Sequence, residues 1–189
     1  MSDDQYARAN EKAANKKRAR EKMLASKTIE KGLLIVHTGK GKGKSTAAFG
    51  LVVRAMGNGM RVGVIQFVKG KWETGERDIL EHFPEQIEIH AMGEGFSWET
   101  QDKARDIAAA TAAWDRAQQM INDPEFGLVV LDEINIVLRN DYLDIKDVVA
   151  FLTSRQPNGH VMCTGRNAKP ELIEAADLVT EMTEIKHHF

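Results

Sequence analysis

"LLIVHTGKGKGKSTAAFGLVVRAMG", residues 33–57, passes from a short apolar run through three Gly-Lys pairs into a stretch with helical spacing. Residues 33–37 read as a buried strand, and 44–57 as a helix opening with Lys-Ser-Thr. A glycine-rich turn between a strand and a helix presents backbone N–H groups to an anion with no side chains in the way. Lys44 adds a point charge, Ser45 a hydroxyl suited to magnesium, and the helix start the positive end of its dipole. The stretch therefore reads as a phosphate loop, Gly39, Lys40, Gly41, Lys42, Gly43, Lys44, Ser45 and Thr46, since a merely basic surface loop needs no such flanks. One irregularity stands out. In the spacing G-x-x-x-x-G-K-[ST], counting back from Gly43 puts Thr38 at the first position, with the glycine displaced to Gly39. Threonine does not readily take a positive φ, so the loop, and the direction of a ligand along it, is expected to differ from the ordinary case.

Outward from this stretch, residues 61–67, 87–92, 128–132, 160–164 and 178–182 read as further strands, and 75–83, 100–121, 145–155 and 169–176 as helices. Strands alternating with helices predict an α/β fold: a doubly wound, mainly parallel sheet of about six strands with helices on both faces, P-loop NTPase-like (RecA-like) in class. Ligands are then expected at the carboxyl edge of the sheet. Residues 31–189 form this domain. Residues 1–30 are rich in Ala, Lys and Arg and poor in large apolar side chains. They read either as a solvated, partly disordered arm or as a basic helix that closes over an anionic ligand.

The 189 residues carry a net charge of -2, so bulk charge gives no reason to expect nucleic-acid binding. One cysteine, Cys163, excludes a disulfide framework within one chain and a cysteine-rich metal site, and in its apolar strand it reads as a small buried residue. With no apolar run long enough to span a bilayer and no signal-peptide pattern, a cytoplasmic protein without membrane partners is the expectation.

"GLVVLDEIN", 127–135, ends an apolar strand in Asp132 and Glu133. Carboxylates at a neighbouring strand end can hold magnesium directly or through water, the alternative being a helix N-cap. Asn135 has no role that the sequence assigns. Past the strand at 160–164, Arg166 can either clamp a phosphate or lie on the surface. Phe96 and Trp98, in "AMGEGFSWETQ" (91–101), bring apolar surface to a loop. They either pack on each other beneath it or, if exposed, mark a site for a flat apolar ligand; Trp72 is a candidate for the same wall.

"TGKGKGKSTAAFG", "VIQFVKGKWETGERDILE", "MGEGFSWETQ", "LVVLDEIN", "TGRNAKPELIEAADLVTEM" and "IKHHF" together resemble the ATP:corrinoid adenosyltransferases of the cobalamin pathway, of the cob(I)yrinic acid a,c-diamide type. The resemblance runs from about residue 28 to the end. It implies transfer of the 5′-deoxyadenosyl group of ATP to Co(I) of a corrinoid with release of triphosphate, in adenosylcobalamin biosynthesis or corrinoid salvage. It also implies ATP lying reversed on a modified loop. Lys42, Lys44 and Arg166 would grip the triphosphate with Mg²⁺, held by Ser45, Asp132 and Glu133, and Phe96 and Trp98 would face the corrinoid and displace the lower axial ligand of Co(II). The electron would come from outside, from a reduced flavoprotein, and a homodimer is the family expectation.

Two departures qualify the match. Ser45 stands where many relatives have Thr, which keeps a magnesium ligand. Relatives usually continue past the "KHHF" end with another short segment, and if that segment walls the site, a trimmed chain or looser substrate binding is expected. The rival readings are an ATPase or kinase using Glu133 on water or an acceptor, and a RecA-like nucleic-acid module using the basic arm.

Overall fold

The computed structural model describes residues 3–68, 75–92 and 102–187. The chain divides into two compact units, Met1–Glu30 and Lys31–Phe189. In the first, α1 spans Asp3–Ala25, and its described side chains are exposed. Ala, Lys, Arg and Glu favour the helix, while the lack of an apolar stripe leaves no face to bury.

The second unit runs β1 (Leu34–Thr38), α2 (Lys44–Gly57), β2 (Arg61–Gln66), α3 (Gly75–Leu80), β3 (Ile87–Ala91), α4 (Lys103–Asn122), β4 (Phe126–Asp132), α5 (Ile134–Arg139), α6 (Ile145–Ser154), β5 (His160–Thr164), α7 (Pro170–Ala175) and β6 (Leu178–Glu181). The strands form one sheet in the order β3-β2-β4-β5-β1-β6, and every pairing in it is parallel. From β1 the chain moves through β2 to the β3 edge, then returns through β4 and β5 to the β6 edge. Right-handed crossovers in opposite directions must lie on opposite faces, so the reversal winds the sheet doubly.

Alternation along the strands agrees. Ile35, Val62, Val64, Leu128, Val130 and Met162 pack with Phe49 and Val52 of α2 and Leu80 of α3. Leu34, Val36, Ile65, Val129, Leu131, Val161 and Cys163 pack with Trp114 of α4 and with Ile134, Val148 and Leu172 from the three helices that follow it. Leu128 to Leu131 serve the two cores in turn, as a period of two requires. Trp114 meets Phe151 edge-on at 5.4 Å between ring centroids.

The helix over 44–57 and the strand over 160–164 fall where the residue pattern predicts. Two features do not. A six-residue helix, α5, follows the acidic pair directly. And β4 is not the immediate neighbour of β1, because β5 lies between them.

Candidate active site

The carboxyl ends of β1, β4 and β5 converge on one cluster. Thr38 keeps its strand conformation, and the left-handed turn begins one residue later, at Gly39 with φ 95. This is the physical content of the displaced glycine. A side chain at Gly39 would collide with the Met182 carbonyl and bring its Cβ to 2.8 Å from Glu181 Cγ. The loop rests on the chain just beyond β6: Gly41 N–H donates to Met182 O at 2.7 Å, and Met182 N–H to Thr38 O at 2.9 Å. The Thr38 hydroxyl accepts from Ala168 N–H at 2.9 Å. Gly43, also left-handed at φ 101, caps α2 without a side-chain hydrogen bond, so no side-chain acceptor competes for the first amides of the helix.

Lys44 is buried, and its ammonium donates to Gly39 O at 2.8 Å and Gly41 O at 2.6 Å. Burial pushes its pKa below the usual lysine value; Glu133 opposes that shift, whereas Arg166 and Lys42 add to it. Three cations and one carboxylate are thus close enough to feel one another through the loop. Lys40, Lys42, Thr46 and Arg166 are exposed.

Ser45, on the first turn of α2, reaches across β5 to Asp132. Its hydroxyl donates to Asp132 Oδ1 at 2.8 Å, as does the Thr164 hydroxyl, also at 2.8 Å. Gln66 Nε2 donates to Asp132 Oδ2 at 3.3 Å. With 1% of its surface exposed, Asp132 is a buried carboxyl group that accepts from these three side-chain donors. Glu133 takes a left-handed conformation, φ 65, and its N–H donates to Thr164 Oγ1 at 2.9 Å. For a non-glycine residue that backbone costs about 1–2 kcal/mol. It turns the chain sharply from β4 into α5.

Asn135 is the residue that reading the sequence left without a role. Fully buried, it donates through Nδ2 to Gly165 O at 2.9 Å and to His37 O at 3.4 Å, tying together the carboxyl ends of the adjacent strands β5 and β1. Gly165, at φ 127, permits the approach: a Cβ there would lie 2.9 Å from Asn135 Cβ and 3.0 Å from Glu133 Oε2. The only sequence signal was a polar residue inside an apolar helix start. Burial lowers the His37 imidazole pKa.

Among the described residues, no group of three or more His, Cys, Asp and Glu is arranged to hold a metal ion. A Ser hydroxyl beside a buried Asp fits a hard cation that keeps most of its water and shares phosphate oxygens, as magnesium does. Phe96, Trp98 and Trp72 lie outside the described residues. The chain enters 93–101 from the end of β3, at the sheet edge opposite β6.

A parallel doubly wound sheet with this loop, lysine and acidic strand end defines a phosphate-loop nucleotide-binding protein. The family described as ATP:corrinoid adenosyltransferase BtuR/CobO/CobP matches residues 30–189. A corrinoid adenosyltransferase of Sinorhizobium sp is 56% identical over 185 residues, 97% of this chain and 86% of that protein. One from Pseudomonas aeruginosa is 51% identical, covering 100% of this chain and 93% of that protein. A KaiC-like protein of Pyrococcus horikoshii is 17% identical with a TM-score of 0.49, covering 81% of this chain and 72% of that one. The chain belongs to the ATP:corrinoid adenosyltransferase family and is an enzyme that transfers the adenosyl group of ATP to the cobalt centre of a corrinoid.

Proposed function

We propose that Lys42, Lys44 and Arg166 grip the triphosphate of ATP as the leaving group while reduced cobalt attacks the 5′ carbon. The cobalt lone pair forms the Co–C bond, the C5′–O bond breaks, and its electron pair departs with triphosphate. No protein nucleophile is required. The protein's share of catalysis is positioning and electrostatic stabilisation of charge that grows on the bridging oxygen. The observation that carries this reading is the buried Lys44 ammonium held on the loop carbonyls of Gly39 and Gly41, where burial first, and then Arg166 and Lys42, lower its pKa against the pull of Glu133.

Magnesium, bound through Ser45, Asp132 and Glu133, would supply charge neutralisation for the triphosphate. The 2.8 Å Ser45–Asp132 contact supports that assignment. Thr164 and Gln66 orient the Asp132 carboxylate, and Asn135 with Gly165 sets the start of the turn that carries Arg166.

Phe96 and Trp98 form the apolar wall for the corrinoid, disfavouring a lower water ligand so that Co(II) is easier to reduce. A reduced flavoprotein supplies the electron. Because the aromatic segment leaves from the β3 edge, the adenosyl end of ATP points toward β3 and the triphosphate tail toward β6, the reversed direction. The protein acts as a cytoplasmic homodimer, with residues 1–30 as an appended basic arm. Leu178 and Val179, exposed at 47% and 37% on the open β6 edge, support self-association, which light scattering on the purified protein checks.

The test is an anaerobic assay with ATP, Mg²⁺ and chemically reduced corrinoid, following Co–C bond formation and identifying the phosphate product. Triphosphate is expected. ADP and orthophosphate without a Co–C bond would instead favour phosphoryl transfer assisted by Glu133. Replacing Phe96 and Trp98 by Ala should spare the reaction from Co(I) and impair the one begun from Co(II).

A further inference from the structure

On the β6 side of the phosphate loop lies a cavity of about 420 Å³, separate in chemistry from the cation cluster. Thr38 and Gly39 contribute to its lining with Lys40, and Ala168 and Ile173 supply apolar surface. Asn167, Glu181 and Glu184 bring polar groups. Its size falls within the range of small-molecule sites. Two carboxylates against one ammonium make it a poor extension of a phosphate cradle, since they repel the charge that Lys42, Lys44 and Arg166 attract. They suit hydroxyl and amino donors instead. A carboxylate beside a phosphate-binding turn is the arrangement that accepts from ribose hydroxyls. An amide side chain both donates and accepts, as the edge of a base requires. Ile173 is 39% exposed, leaving apolar surface for a ring to cover.

We infer that this cavity is a second nucleoside subsite, one that lets a purine nucleoside triphosphate enter the same phosphate loop from the opposite side and lie there unproductively. The inference rests on the reading that the loop holds a triphosphate. The sheet order gives the reason for the lack of reaction. The cavity adjoins β1 and β6, whereas the chain runs to the aromatic segment from the end of β3, four strands from β1 and five from β6. At about 4.8 Å per strand, β3 lies about 19–24 Å from these two strands. A nucleotide whose ribose lies in the β6-side cavity turns its 5′ carbon away from the corrinoid wall while occupying the charges that the productive nucleotide needs. ATP is therefore both substrate and, at high concentration, its own competitor.

Two variants that leave the cation cluster intact test this. Ile173→Trp fills the cavity from an exposed helix position, and Glu184→Gln removes one carboxylate without changing shape. With chemically reduced corrinoid, the wild-type rate is expected to rise and then fall with increasing ATP. Ile173→Trp should keep the rate at low ATP and move the decline to about tenfold higher ATP, and Glu184→Gln should move it part of the way. In the absence of corrinoid, ATP should shift the Ile173 methyl resonance of isoleucine-labelled protein, while inorganic triphosphate should leave it in place.

A plateau without decline, a decline unchanged in both variants, or an Ile173 methyl that triphosphate moves as much as ATP overturns the second subsite while leaving the transferase reading intact. Failure of the underlying reading looks different: wild-type protein that releases no triphosphate at any ATP concentration.

Discussion

The two ends of the sheet use charge in opposite ways. At the amino end, strong groups close on the main chain. Arg155 donates to Leu152 O at 2.6 Å, Gly32 O at 2.8 Å and Gly159 O at 3.3 Å. Asp177 accepts from Leu34 N–H at 2.9 Å and pairs with Lys31, and His160 Nδ1 accepts from Leu33 N–H at 3.1 Å. Each charge there has an internal partner and fixes the start of β1. At the carboxyl end, burial and then the nearby Arg166 and Lys42 lower the Lys44 pKa, Glu133 holds a left-handed backbone, and α2 starts without a side-chain cap. One end closes its charges on the start of β1; the other gathers cations of like sign around a glycine-rich loop.

That contrast breaks most visibly at Lys44. Replacing it by Ala should reduce triphosphate release about 100- to 1000-fold while the melting temperature changes little, as measured by steady-state turnover and thermal unfolding. A smaller loss follows from Gly165→Ala, whose Cβ would press on Asn135 at 2.9 Å in a left-handed backbone. About 1–2 kcal/mol of strain and a displaced Arg166 should cost about tenfold in kcat/KM for ATP.

At the amino end the effect should be on stability alone. The Lys31 hydrogen bond, and then the Leu34 amide, hold the Asp177 carboxyl below its usual pKa. Such a group stabilises the fold fully above its unfolded value of about 3.9, and the contribution disappears as pH falls through the lower folded value. Asp177→Asn should therefore lose about 1 kcal/mol near neutral pH, a drop of about 2–4 °C, with turnover unchanged. Unfolding scans should show the gap to wild type closing in strong acid. The smallest effect belongs to Cys163, a fully buried thiol pushed up to about 12 by desolvation. It should resist alkylation in the native protein near pH 8 and react promptly in denaturant, which mass spectrometry can follow.

Which end of the sheet each residue serves was only partly legible from the chain. The phosphate loop and its helix could be read because strand, turn and helix follow one another within residues 33–57, each with its own period. The acidic pair after an apolar run was legible for the same reason. The insertion of β5 between β1 and β4 was not, since hydrophobic patterns identify strands without giving their order. Nor was α5, whose six residues are too few to display a helical period. The bridge made by Asn135 and the support from Met182 join residues far apart in the chain, and no local spacing encodes them. The aromatic loop entered through resemblance to a family, not through periodicity.

The support from Met182 has a consequence for biosynthesis. The nucleotide cradle is written near the beginning of the chain, yet its floor is the main chain just past the last strand. Chains grow from the amino terminus at about 5–20 residues per second, so synthesis must run on from the loop through β6 and Met182 before the cradle can close. A nascent chain cannot grasp ATP while its remaining strands are still being made, and competence for the nucleotide arrives together with completion of the sheet.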